Sequence, residues 1–216
     1  MALINLLRYH LSDRFSFTAT IITARGEKIN INDQFATFAR ERDRFTLGEL
    51  EAVANENGTG IYWETVLQEA VRINQEELVN RNNIHFDVAA IDDVLEEFCP
   101  GKYEGLKQLP DALLFHLPAC SYPWNKYLLY SYLFAFSKRF MLCYRSLSKS
   151  GYFGAIVRRG CGIEAYKDLV EQILIDSDGW TTTADALQLL VDGGYQEYYR
   201  YKRIDAIVAR VRDRRA

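Results

Sequence analysis

All four prolines of this 216-residue chain, Pro100, Pro110, Pro118 and Pro123, fall in one stretch. Proline lacks a backbone N–H and fixes φ, so neither a continuous helix nor a central strand runs through such a stretch. Residues 100–123 are therefore the expected joint between modules, and the chain on either side folds from its own local signals. With 49% hydrophobic residues, those flanking parts can each bury a core.

Before the joint the signals are specific. The stretch "FTLGELEAVANENG" opens on a capping box, Thr46 with Glu49 three residues on, and stops at Gly58. A helix at 32–43, "NDQFATFARERD", precedes it. In "IYWETVLQEAVRI", Ile61, Val66, Ala70 and Ile73 recur at helical spacing and predict another helix. "EELVNRNNIHFDV" then predicts two short strands around a tip at Arg81, Asn82 and Asn83. Asp87 is placed to cap the helix "VAAIDDVLEEF", which Pro100 ends.

After the joint the order recurs. "DALLFHLPACS" predicts a short helix, and "YPWNKYLLYSYLFAFSKRF" a longer one on the row Trp124, Leu128, Tyr132, Phe136 and Phe140. "RFMLCYRS" and "YFGAIVRR" flank the turn-rich "LSKSG" and predict an antiparallel hairpin. The first 31 residues predict a helix and a further hairpin, "FSFTATIITARGEKI". Residues 162–216 predict three helices, with Thr181 to Thr183 capping the second and Gly193-Gly194 closing it.

Helix, turn, helix, then hairpin is the order that resembles the winged helix-turn-helix superfamily. The resemblance is carried by element order over residues 32–88 and its recurrence. The expected fold is mainly α with short β-hairpins, an α+β class, arranged as tandem winged-helix-like modules: a partial one at 1–31, an acidic one at 32–99, one with a basic hairpin at 100–161, and a three-helix module at 162–216. The phrase "SYPWNKYLLYSYLFAFSKRF" with "GAIVRR" is also similar to segments in the carboxy-terminal regions of large, poorly characterised bacterial proteins. The first copy lacks the helices that should precede its hairpin, so the chain is expected to be a carboxy-terminal portion of a longer protein, which the second resemblance implies to be bacterial; the alternative is an intact small protein with a divergent first module.

Charge is segregated along the chain. Residues 138–159 carry six basic side chains and no acid, and residues 198–216 carry seven basic against two acidic, within a chain of net charge −3. A resemblance to winged helices implies that the longer helix enters a DNA groove while the hairpin holds phosphates. The expected nucleic-acid contacts are Lys138, Arg139, Arg145, Lys149, Arg158 and Arg159 from the hairpin, with Asn125 and Lys126 from the helix. Double-stranded DNA is the expected partner. Tyr130, Ser131 and Phe134 are expected to face outward on that helix, and the basic terminal helix to turn Arg203, Arg210 and Arg214 outward. The alternative is a protein-interaction scaffold, since residues 41–111 hold sixteen acidic and six basic side chains and would repel DNA.

Chemistry is harder to find. There is no phosphate-loop, dinucleotide-fold, nucleophile-elbow or H-E-x-x-H motif. The expectation is a non-enzymatic protein without a cofactor or metal. Cys99, Cys120, Cys143 and Cys161 form no C-x-x-C pair and are expected as buried thiols. Asp92-Asp93 and Glu96-Glu97 are expected to line a solvated helix face, and His116 to sit in a core. No apolar run approaches the roughly 20 residues that span a bilayer, so a cytoplasmic location without a membrane partner is expected.

Overall fold

A computed structural model describes residues 9–17, 22–24, 30–144, 146–147 and 153–215. The chain divides into two compact units, Met1–Val71 with Glu76–Asn83, and Arg72–Gln75 with Ile84–Ala216.

In the first unit, strands β1 (Phe15–Phe17) and β2 (Ile22–Ala24) pair antiparallel, Phe15 opposite Ala24. Helix α1 (Ile31–Arg40) is capped by the Asn30 side chain and buries Phe35 and Ala39. Strand β3 (Arg44–Thr46) leads into α2 (Leu47–Glu56). Both bonds of the expected capping box are present: Thr46 Oγ1 accepts the Glu49 N–H at 3.3 Å, and Glu49 Oε2 accepts the Thr46 N–H at 2.7 Å. Helix α3 (Trp63–Glu69) is followed by β4 (Ala70–Arg72) and β5 (Glu77–Asn80), in the sheet order β3-β5-β4.

Two sequence expectations are corrected here. The helix predicted to run to Ile73 stops at Glu69, because Ala70, Val71 and Arg72 are all buried in the sheet. Burial on both faces leaves no amphipathic period for the helix to follow, and the β-branched Val71 suits a strand. The predicted tip at Arg81–Asn83 is a 3₁₀ turn outside the sheet. Asn80 makes that turn, its Oδ1 accepting the Asn82 N–H at 3.0 Å, so "ELVN" pairs with segments preceding it rather than with "IHF".

In the second unit, α4 (Val88–Phe98) is capped by Asp87, whose carboxylate accepts the Ala90 N–H at 3.1 Å. Then follow β6 (Tyr103–Gly105), α5 (Leu113–His116), α6 (Lys126–Ala135), β7 (Phe140–Cys143) and β8 (Ala155–Arg158). The prolines thus fall inside this unit, around β6 and α5. The sheet order is β6-β8-β7, antiparallel, with Tyr103 opposite Val157 and Phe140 opposite Arg158. "GAIVRR" therefore supplies a central strand. Helices α7 (Tyr166–Asp176), α8 (Thr183–Asp192) and α9 (Ile204–Arg215) close the chain. Cys143, Ala155 and Val157 of the sheet share one core with Leu169, Ile173, Leu190, Ile207 and Val211 of these helices.

The order helix, strand, helix, helix, strand, strand occurs twice, from α1 to β5 and from α4 to β8. In each copy the first strand pairs with the last. The fold is mixed α+β with short hairpins.

Candidate nucleic-acid interface

Four of the expected cations gather at the base of the β7–β8 hairpin, where α4 presents acids to them. Arg139 donates from Nη1 to Glu96 Oε2 at 2.6 Å and from Nη2 to Asp93. Arg158 donates from Nη1 to the other oxygen of Glu96, and its guanidinium lies 5.4 Å from the Phe140 ring centre. The hydrogen bond from Arg158, and then the one from Arg139, hold the Glu96 carboxyl below the usual range. Two expected phosphate contacts are thus already neutralised within the unit. Lys138 and Arg159 are exposed beside them, with Arg159 Nη2 at 3.4 Å from the Ser137 carbonyl.

The expected solvated acid face is corrected by the same helix. Asp92 is only 1% exposed. Its Oδ1 accepts the Tyr132 hydroxyl at 2.8 Å and the Ser137 hydroxyl at 2.6 Å, and its Oδ2 accepts the Lys138 and Arg139 N–H groups at 2.9 and 3.0 Å. Four donors make burial of a carboxylate tolerable. They lie forty or more residues away in sequence, which no local spacing rule registers.

Helix α6 departs furthest from expectation. All of Leu128–Leu133 is buried, including Tyr130 and Ser131, which were expected to face outward. Ser131 Oγ accepts the Arg72 N–H at 3.0 Å, the Arg72 guanidinium lies 4.3 Å from the Tyr127 ring centre, and Asn125 Nδ2 donates to the Ile73 carbonyl at 2.6 Å. Asn125 also caps α6, its Oδ1 accepting from the Tyr127 and Leu128 N–H groups. Lys126 stands 3.7 Å from Asp111. Around the rest of the helix, the Phe86 ring meets Trp124, Tyr132 and Phe136 at 5.7, 5.2 and 4.9 Å. A helix apolar nearly all round is a buried helix, and this one has no long face left for a DNA groove. Arg145 and Lys149 lie outside the described residues.

The far end of the hairpin holds a feature that the sequence reading missed. A cavity of about 320 Å³ is lined by Ser146 and Phe153 from the hairpin and by Tyr195, Tyr198 and Arg200 from the segment before α9. The two segments are tied together where the Gly154 N–H donates to the Gly194 carbonyl at 3.1 Å. Buried Gln196 orders the wall: its Oε1 accepts the Tyr166 hydroxyl at 3.1 Å, and its Nε2 donates to the Tyr198 carbonyl at 2.8 Å. Burial pushes the Tyr195 phenol up from its ordinary pKa. The signal was present in "YQEYYRYKR", where tyrosines alternate with cations, but it reads equally as the approach to a basic helix.

Of the basic side chains on α9 expected to point outward, Arg210 and Arg214 are both held by Glu171, at 2.9 and 2.6 Å. His116, expected in a core, is exposed at the end of the short α5, its ring 5.4 Å from that of Phe98. Cys99 and Cys143 are buried as expected, and burial pushes both thiols up to about 12. Cys120 and Cys161 are instead half-buried. Among the described residues no group of three or more His, Cys, Asp or Glu is placed to hold a metal ion, and no helix is long and apolar enough to cross a membrane. The chain matches no family model, no curated protein and no solved structure.

Proposed function

We propose that this chain is a non-enzymatic, nucleic-acid-binding part of a larger cytoplasmic bacterial protein, built from winged-helix-type modules. The repeated helix, strand, helix, helix, strand, strand order, with the first strand beside the last, supports the module type. The contact is made by the hairpin and the segment before α9 rather than by α6. One observation carries this reading: Ser146 and Phe153 of the 138–159 stretch and Tyr198 and Arg200 of the 198–216 stretch, far apart in sequence, line one cavity in the second unit. Arg200 in the cavity lining and the exposed Lys202 and Arg203 that follow it attract a polyanion, and the attraction weakens with salt.

The test is fluorescence anisotropy of a labelled random-sequence duplex and of a labelled single strand at about 50 and about 200 mM salt. Binding to either that weakens severalfold or more at the higher salt supports the reading. No binding of either form at the lower salt overturns it.

A second reading, protein docking, is favoured by a different observation. Phe115 is 88% exposed, close in sequence to an apolar groove lined by Leu106, Leu109, Leu113, Leu114 and Leu129. Exposed apolar clusters of this kind mark protein contacts. The acidic 41–111 stretch runs into this patch, and its charge suits a protein partner better than DNA.

A further inference from the structure

We propose that the segment before α9 binds single-stranded nucleic acid, with Tyr198, which lines the cavity, and its exposed neighbour Tyr199 as stacking surfaces for unpaired bases, and with Arg200, Lys202 and Arg203 along the phosphates. This rests on the reading that the second unit binds nucleic acid, and it adds the form of polymer and the residues.

The tyrosines carry the inference. Tyr198 and Tyr199 are 55% and 56% exposed, whereas most aromatic side chains of this unit are packed inside it. Both sit on an ordered backbone. The Tyr198 carbonyl accepts from Gln196, itself 1% exposed, and the Tyr199 hydroxyl accepts from Gln188 Nε2 at 3.2 Å. An aromatic side chain has only two χ angles to order, so it loses little entropy when a base stacks on it. Each base stacked on an aromatic side chain contributes about tenfold or more to affinity, whatever the base. In a duplex those base faces are already stacked on one another, so two adjacent exposed tyrosines select unpaired bases.

Charge and volume agree with this assignment. The Arg200 guanidinium stands 5.9 Å from the Tyr198 ring centre, beside the surface on which a base would lie. Lys202 and Arg203 are exposed just beyond it, while Arg210 and Arg214 further along are engaged by Glu171. The cavity, at about 320 Å³, is at the lower end of the roughly 300–1,000 Å³ range of ligand sites. It suits one ring system rather than a folded partner. Glu197 also lines it, and its carboxylate opposes a phosphate, which gives the assignment a second handle.

The experiment uses the full chain with fluorescein-labelled dT15 and a labelled 15-base-pair duplex. For dT15, three engaged cations predict a loss of roughly 20-fold between about 50 and about 200 mM salt. Replacing Tyr198→Ala and Tyr199→Ala together should weaken dT15 binding at least tenfold and leave the salt slope unchanged. The pair Tyr198→Phe and Tyr199→Phe should retain wild-type affinity, which separates loss of stacking from loss of fold. Glu197→Gln should tighten binding. Unchanged dT15 affinity in the double alanine variant overturns the inference. So does duplex binding as tight as dT15 binding, or binding of the duplex alone; in both cases the broader nucleic-acid reading stands. Binding of neither form removes both readings and leaves the tyrosines to a protein partner.

Discussion

Asp92 and Ser137, 45 residues apart, are joined by a 2.6 Å hydrogen bond in which the serine hydroxyl donates to a buried carboxylate. The same Ser137 oxygen accepts the Phe140 N–H at 2.9 Å. A short relay thus runs from α4 to the first residue of β7, and it fixes where the hairpin begins. Removing the carboxylate strands two backbone N–H groups and the Ser137 hydroxyl, while the Tyr132 hydroxyl keeps the Val88 carbonyl. Asp92→Ala should therefore cost about 3 kcal/mol or more, by urea denaturation. Asp92→Asn should cost less. Its amide oxygen can still accept both backbone N–H groups, its NH₂ can face the two hydroxyl oxygens, and the Tyr132 hydroxyl retains the Val88 carbonyl at 3.1 Å.

Glu96, by contrast, works at the surface. Its side chain is 42% exposed, so Glu96→Gln should leave the thermal midpoint nearly unchanged. The substitution leaves Arg139 and Arg158 without that carboxylate. Retention on a heparin column should accordingly shift to higher salt, and a shift to lower salt would mean that Glu96 organises a cation-binding surface instead.

Cysteine chemistry should divide by position. Burial holds the Cys99 and Cys143 thiols protonated, up to about 12, and it also denies reagent access. Iodoacetamide at neutral pH should label Cys120 and Cys161 first and reach the other two only as the protein unfolds, as peptide mass mapping would show. Early labelling of Cys143 would mean that the sheet opens locally.

The N-terminus of α8 supplies a pH dependence of known sign. Hydrogen bonds from the Thr181 and then the Thr182 backbone lower the Asp185 carboxyl from 3.8 to about 2. A carboxyl lowered on folding stabilises the folded state above its unfolded pKa, and that contribution fades as pH falls toward the folded value. The contribution of Asp185 should be complete above about pH 4 to 5 and lost progressively toward about pH 2. Thermal melts followed by circular dichroism should show a shallower acid limb for Asp185→Asn than for the native chain.

What the sequence made legible were the features settled within a few residues. The Thr46 and Glu49 box, the Asp87 cap and the β7–β8 pairing all follow from local hydrogen-bonding rules and alternation, whereas Asn125, expected at a nucleic acid, caps α6 instead. What it concealed depended on distant partners. Asp92 has the sequence spacing of a surface acid, and only the return of Ser137 and the Lys138 backbone makes it internal. Ser131 has the position of an outer face until the Arg72 backbone returns to it, and Tyr130 has one until the Tyr144 ring packs beside it. Ala70 and Ile73 continue a helical period in the sequence, yet Ala70–Arg72 enter the sheet, where Val71 and Arg72, which lie off that period, are buried as well. The proposed stacking surface was hidden for the opposite reason: Tyr198 and Tyr199 sit among basic residues that matched a helix already expected there.

The core that joins Cys143, Ala155 and Val157 to α7, α8 and α9 makes the hairpin and the last three helices a single cooperative unit of unfolding. A polypeptide ending at residue 161 would turn one sheet face to water and should aggregate or melt early. Slow hydrogen exchange should extend across Ile156, Ile173, Leu174 and Val208 together, and mechanical or thermal opening of the proposed binding end would have to dismantle all of them at once.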